Sequence, residues 1–239
     1  MTALRRDEPS WGSGFPFDVP AVAAVGDLAL DAPVTLLAGD NGTGKSTLVE
    51  AFAESFGFEA EGGELERLSD PPRQAVPRPV FGLEPVLSRW ARPRTGYFLR
   101  AESFFNVASY MDGTGYLDSY GGKSLHSQSH GESFMAVLLN KLRGNGIYLL
   151  DEPEAALSPN RQLAALSAIH QLVEDHSQFI IATHSPILLS YPHAKIFLLD
   201  KTGVTEVAYE DTEHYAVTRD FLNHYPRRLE QLLQDEPDL

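Results

Sequence analysis

The chain contains no cysteine, which excludes disulfides and thiolate-held metals and suits a reducing compartment. No apolar run approaches the roughly 20 residues that a helix needs to cross a bilayer. The first ten residues, Met1 to Ser10, carry Arg5 and Arg6 but no apolar stretch behind them, so they do not read as a secretory signal and the cytoplasm is the expected compartment. Basic residues are scarce as well. Against 33 Asp and Glu stand 19 Lys and Arg, a formal charge of −14, and a surface of that sign repels nucleic acid on average. One stretch runs against the balance: Arg67, Arg73, Arg78, Arg89, Arg92, Arg94 and Arg100 face only Asp70 and Glu84. A solvated lobe with scattered arginines and a local footprint for an acidic partner both fit that stretch. Sustained heptads are also missing between Thr47 and Gln128, which leaves no coiled-coil arm.

What is present begins with Gly39-Asp40-Asn41-Gly42-Thr43-Gly44-Lys45-Ser46-Thr47. It follows the apolar run Val34 to Ala38 and leads into Leu48 to Ala53, which reads as a helix. Strand, glycine loop and helix in that order form a phosphate-binding loop, because glycines let consecutive backbone N–H groups turn toward an anion. The helix adds the positive end of its dipole. Lys45 would reach the β- and γ-phosphates, the Ser46 hydroxyl would take a place on Mg²⁺, and Thr47 would help open the helix.

Around this loop the chain alternates short apolar runs with amphipathic stretches. Gly96 to Arg100, Ile147 to Leu150, Phe179 to Ala182 and Lys195 to Leu199 read as strands. Ser133 to Arg143 and Arg161 to Asp175 read as helices, and Val204 to Tyr209 closes a hairpin. A short helix is predicted over Glu84 to Trp90, another within Ala101 to Asp118, and two short ones after Glu213. Trp11 to Pro20 reads as an irregular or edge-strand lead-in, where Trp11, Phe15 or Phe17 packs in the core or stacks on a base. The fold class is therefore α/β: one domain over 1–239, a mainly parallel sheet flanked by helices, with about 57–128 as a small helical or irregular lobe inserted in it.

Three further stretches fall at strand ends or a helix start, where ligands bind in open α/β sheets. Leu149-Leu150-Asp151-Glu152-Pro153 ends an apolar strand in two carboxylates. Asp151 suits a Mg²⁺ partner opposite Ser46, and Glu152 suits a base that polarises water. Ile181 to Pro186 puts His184 past another strand, in reach of a γ-phosphate or of that water. Ser129-His130-Gly131-Glu132 opens a helix that can take a phosphate of its own.

The order of these motifs resembles the ABC-type ATPase superfamily. Asp151 to Pro159, Phe98 to Phe105, Ser129 to Phe134 and Gln178 to Pro186 are more similar to its non-transporter branch, the SMC-like, OLD-like and AAA-labelled compact bacterial ATPases, than to permease ATPases. The resemblance covers about Pro33 to Leu222. It implies a P-loop NTPase head that binds ATP with Mg²⁺ and hydrolyses it between two copies of the chain. Lys45, Glu152 and His184 would be catalytic, and Ser46 and Asp151 would hold the metal. Ser129, His130, Gly131 and Glu132 would serve as the signature that reaches the partner's ATP. Ala156, Leu157 and Ser158 would be the D-loop crossing the interface, and Glu102 would stand at the Q-loop position. His130 replaces the signature's usual first glycine, Glu102 stands where transporters have Gln, and Ser158 where many have Asp. These departures count against a transporter. The length leaves no room for an appended nuclease after the His184 strand. Two alternatives stay open, a slow nucleotide-dependent switch that binds DNA or a protein, with the Arg67 to Arg100 segment as its footprint, and an ABC transporter ATP-binding subunit.

Overall fold

The computed structural model describes residues 3–6, 14–23, 28–59, 62–65, 83–86, 93, 95–100 and 129–234. Its main body is a seven-stranded sheet. In chain order its strands are β2 (Val34–Ala38), β3 (Gly63–Glu64), β5 (Thr95–Arg100), β6 (Gly146–Asp151), β7 (Gln178–Ala182), β8 (Lys195–Asp200) and β9 (Gly203–Val207). In space they lie in the order β3-β5-β6-β7-β2-β8-β9. The five inner strands run parallel, and β3 and β9 pair antiparallel at the two edges.

Both faces of the sheet are covered, which is why its strands are apolar without alternation. Side chains on a strand point to opposite faces in turn. Leu36, Leu99, Leu150 and Ile181 meet Phe134 and Leu138 of the segment 130–141 and Ala165 and Ile169 of the next helix. Leu37, Phe98, Leu149 and Ile180 meet Leu48, Val49 and Phe52 of the helix after the glycine loop. These helices are α2 (Lys45–Phe56), α3 (His130–Ala136) continued by a π-turn over Val137–Lys141, and α4 (Pro159–Glu174). A one-turn helix, α1 (Pro20–Ala23), sits beside α2, and another, α5 (Pro186–Leu189), follows β7. The last element, α6 (Glu213–Gln234), buries none of its residues.

The register carries function. Arg100 pairs with Asp151, Asp151 with Ala182, and Ala182 with Leu37, so the carboxyl ends of β5, β6, β7 and β2 finish in one row. The glycine loop and the segments after Asp151 and Ala182 therefore emerge side by side.

Two local expectations differ from the structure. Residues 83–86 form a strand, β4 (Leu83–Val86), paired antiparallel with β1 (Ala3–Arg6), where a helix over Glu84 to Trp90 was predicted. Pro85 explains the change: it pushes Glu84 toward extended backbone, and a two-stranded sheet has an open edge on each strand where a missing N–H costs little. The helix predicted from Ser133 starts at His130. Ser129 and Glu132 form a reciprocal capping box, with the Ser129 N–H donating to Glu132 Oε2 at 2.9 Å and the Ser129 Oγ accepting from the Glu132 N–H at 3.4 Å. The two helices expected after Glu213 are present as the two limbs of α6, which is broken at His224 (φ −132°) ahead of Pro226. The rest of the 57–128 stretch, including Glu102, the helix expected within 101–118 and the arginines from Arg67 to Arg94, lies outside the described residues. Among the described residues no helix is long and apolar enough to cross a membrane.

Candidate functional site: a phosphate loop beside paired carboxylates and a histidine pair

The loop from Gly39 to Lys45 is shaped by positions where only glycine fits. Gly39 lies at φ 144°, and a Cβ there would meet the Leu199 carbonyl at 2.3 Å. Gly44 lies at φ 95°, and a Cβ there would meet Val19 Cγ1 at 2.4 Å, so the turn over 14–19 leans directly on the loop. That turn carries Phe15, exposed, and Phe17, half-buried, while Trp11 lies outside the described residues. Gly44 caps α2 without a side-chain bond, so a ligand finds the first-turn N–H groups uncapped by any described side chain.

Lys45 is only 3% exposed, and its Nζ donates to the carbonyls of Gly39 and Asp40, both at 2.9 Å. Burial lowers its pKa, while Glu152, Asp151, Glu154 and Asp40 oppose that shift. Across the loop, the Ser46 hydroxyl donates to Asp151 Oδ1 at 3.1 Å. Asp151 is nearly sealed from water, and its carboxyl is pushed up to about 6. Burial is the main cause and the charges of Glu152 and Glu50 add to it; the Ser46 bond and Arg100 pull the other way. Arg100 holds Glu50 Oε1 at 2.7 Å and stands 3.7 Å from Asp151 Oδ2.

Glu152 sits in the left-handed region at φ 49°, ψ 52°, immediately before Pro153. For a residue other than glycine that backbone costs about 1–2 kcal/mol, and the position before a proline disfavours it further. Its N–H donates to the Ala182 carbonyl at 3.0 Å, which ties the turn after β6 to the end of β7. The strain aims Glu152 Oε1 at His184 Nε2, 3.5 Å away.

The His184 segment is gripped from two sides. Glu154 accepts the Thr183 hydroxyl at 2.7 Å and the His184 backbone N–H. Ser185 caps α5 with its hydroxyl oxygen and donates to Gln162 Oε1, and Gln162 Nε2 donates to the Leu157 carbonyl at 2.9 Å. The proposed D-loop, 156–158, is thereby tied to the histidine segment. His214, at the start of α6, places Nε2 3.2 Å from His184 Nδ1. Sequence reasoning missed Glu154, Gln162 and His214, which have no local motif to mark them.

The Ser129 group is a separate cluster. Ser129 Oγ accepts from Arg161 Nη1 at 3.2 Å, and Arg161 Nη2 pairs with Glu132 at 3.3 Å. Ser129, His130 and Glu132 are exposed, whereas Gly131 is buried with Ala156 and Arg161 against it. The helix start at Ser129, the turn at Ala156 and the start of α4 thus form one block. Asn41 and Gly42 at the tip of the glycine loop are also exposed.

The donors suit a magnesium–polyphosphate pair. A buried carboxylate with a raised pKa, a serine hydroxyl bonded to it and three further acids, Asp40, Glu152 and Glu154, make a site that repels a bare polyphosphate. A divalent cation carried by the phosphate reverses that sign. Among the described residues no group of three or more His, Asp or Glu is placed to hold a metal ion.

No protein-family model matches the chain, and no curated protein matches it in sequence. Solved structures do match in fold. An inward-facing ABC transporter of metal-chelate type aligns at TM-score 0.47 and 18% identity, over 80% of this chain and 78% of that one. CbiO1 from Clostridium perfringens, part of the ABC transporter complex CbiONQ, aligns at TM-score 0.46 and 18% identity, over 87% and 90%. The SMC head domain from Thermotoga maritima aligns at TM-score 0.42 and 14% identity, over 76% and 92%. These are likenesses of fold. What the site can do follows from its own residues.

Proposed function

We propose that the chain is an ABC-type ATPase that binds Mg-ATP at the glycine loop and hydrolyses it between two copies arranged head to tail. One observation carries this reading: Lys45 and Ser46 after β2, Asp151 at the end of β6, Glu152 just past it, and His184 after β7 converge at the carboxyl ends of the inner strands, with Ser46 bonded to Asp151 and Glu152 facing His184. Backbone N–H groups of 39–47 and the Lys45 ammonium cradle the phosphates. Ser46 and Asp151 hold the magnesium, whose charge offsets that of the triphosphate. Glu152 accepts a hydrogen bond from the attacking water and orients it, and His184 donates to the γ-phosphate or to that water. Charge placed in advance supplies most of the acceleration in such sites. Phe15, exposed on the turn beside Gly44, is the aromatic side chain offered to the base.

The exposure of Ser129, His130 and Glu132 at a helix start joined to Ala156 supports its assignment to the partner's ATP. Glu102 keeps its proposed Q-loop role, the 57–128 stretch its role as inserted lobe, and the cytoplasm remains the proposed compartment. The test is Glu152→Gln. ATP turnover falls by about 100-fold or more, while size-exclusion chromatography shows a dimer that requires Mg-ATP. Undiminished turnover with no ATP-dependent dimer refutes the assignment.

A second reading, a nucleotide-dependent module for a protein partner, is favoured by α6. It exposes Val217, Phe221, Leu222, Tyr225, Leu232 and Leu233. Under that reading hydrolysis is slow, and partner retention rather than turnover follows the nucleotide. DNA through the Arg67 to Arg100 segment is the version tested by a salt-dependent mobility shift with and without ATP. A transporter subunit would co-purify with a membrane permease.

A further inference from the structure

We propose that His214 is the positioning residue for His184, so that Glu152, His184 and His214 form one relay whose third member is supplied by α6. The inference rests on the ATPase reading for its consequence but not for its geometry. His184 Nδ1 and His214 Nε2 are 3.2 Å apart with ring planes 48° from parallel, so one nitrogen carries a hydrogen and the other a lone pair. The choice between them is dictated from the far side. His184 Nε2 faces the Glu152 carboxylate oxygen at 3.5 Å, and a carboxylate only accepts, so Nε2 holds the hydrogen. A neutral His184 then has its lone pair at Nδ1, and His214 must donate to it from Nε2. That leaves a lone pair on His214 Nδ1, which is buried with no hydrogen-bond partner among the described residues. At His214 itself, an under-satisfied buried acceptor is tolerated better than an orphaned buried N–H. His184 Nε2 is likewise buried without a hydrogen-bond partner among the described residues, and it faces the Glu152 carboxylate at 3.5 Å.

The surroundings disfavour the charged form of His214. Burial lowers its pKa first, then the facing His184 and Lys45, with Asp40 and Glu213 opposing. A neutral ring with its hydrogen on Nε2 serves His184 as the buried carboxylate serves the histidine of a serine protease, by fixing tautomer and orientation. The placement of His214 is itself enforced. The Tyr209 hydroxyl donates to the Pro186 carbonyl at 2.7 Å, two residues past His184. The Tyr209 ring packs on Tyr215 at 4.7 Å, and Thr212, fully buried, donates to the Tyr209 carbonyl at 2.7 Å. The first turn of α6 is thus seated on the Thr183–Pro186 segment, and beyond it the helix buries no residue. The setting of α6 therefore follows the histidine that faces the γ-phosphate position.

Two variants separate ring packing from the donated hydrogen. His214→Phe keeps the bulk and removes the donor, and His214→Gln keeps an N–H at nearly the same reach. The experiment measures kcat and KM for ATP, and records ring nitrogen–proton correlation spectra of the nucleotide-free protein to read the His184 tautomer. The expected result is a kcat lowered about 10- to 100-fold by the Phe variant, with KM within about threefold and the Nε2–H form of His184 lost. The Gln variant restores both. A Phe variant with unchanged kcat and unchanged tautomer overturns the inference, and so does equal loss in both variants, since packing alone would then explain it. If the wild type turns over no ATP, the ATPase reading fails and the spectra decide by themselves: an Nε2–H His184 that is lost in the Phe variant sustains the relay, and any other form in the wild type overturns it.

Discussion

Removing the charge from Asp151 should make the nucleotide-free protein more stable while abolishing its response to Mg-ATP. The side chain is 7% exposed, and its carboxyl is pushed from 3.8 to about 6, chiefly by burial. A shift of about two units corresponds to roughly 3 kcal/mol against the ionised form. Because the folded value lies above the unfolded one, the folded state holds the proton more tightly. The penalty is complete above about pH 6, shrinks as pH falls and is gone below about pH 4. Asp151→Asn is isosteric with the protonated form and keeps an oxygen for the Ser46 hydroxyl. It gives up the 3.7 Å approach of Arg100, which retains Glu50 at 2.7 Å. Allowing for that loss, the variant gains about 2 kcal/mol at pH 8, or roughly 4–8 °C in Tm for a chain of this size. Thermal melting in EDTA from pH 8 to pH 5 should show the gap closing as the wild type takes up its proton. Saturating Mg-ATP should then raise the wild type above the variant, since only the wild type has the charge that the cation answers. A variant that melts at or below the wild type at pH 8, or a gap that does not change between pH 8 and pH 5, refutes the account of Asp151 as an incompletely compensated buried charge.

The block joining the helix start at Ser129 to the turn at Ala156 is tested by Gly131→Ala. The new methyl would meet Arg161 Nη1 at 2.5 Å and the Ala156 carbonyl at 2.7 Å. The guanidinium can swing away but the carbonyl cannot, so a loss of about 1–3 kcal/mol is expected in urea denaturation, and an unchanged midpoint would disprove the packing. Glu154→Gln leaves one acceptor oxygen where the carboxylate offers two, to the Thr183 hydroxyl and the His184 N–H. It should cost about 1–2 kcal/mol and speed amide exchange at His184 by about tenfold. Exchange at the wild-type rate would mean that Glu154 does not hold the histidine segment.

What could be read from the chain and what could not divide by sequence distance. The glycine loop, the two carboxylates and the inner strands were legible because each is declared within about ten neighbouring residues: apolar run, turn residue, charged strand end. The Ser129–Glu132 capping box was equally local, and only the expectation of a phosphate at that helix start drew attention from it. Glu84-Pro85 misled for a related reason, since nothing nearby reveals that Ala3–Arg6 supplies a strand for it. Glu154 and His214 each lie 30 residues from His184, and no periodicity links them. They come together because β7 delivers His184 between the turn that ends β6 and the first turn of α6, a juxtaposition that depends on strand order. The Thr-His-Ser motif announced a histidine at a strand end but carried no information about what would orient it. An imidazole has two nitrogens, and in His184 the one facing away from the Glu152 carboxylate needs a partner as definite as the one facing it. In this fold that partner comes from a helix that otherwise buries nothing, and for that reason α6 is more than a terminal appendage to the site.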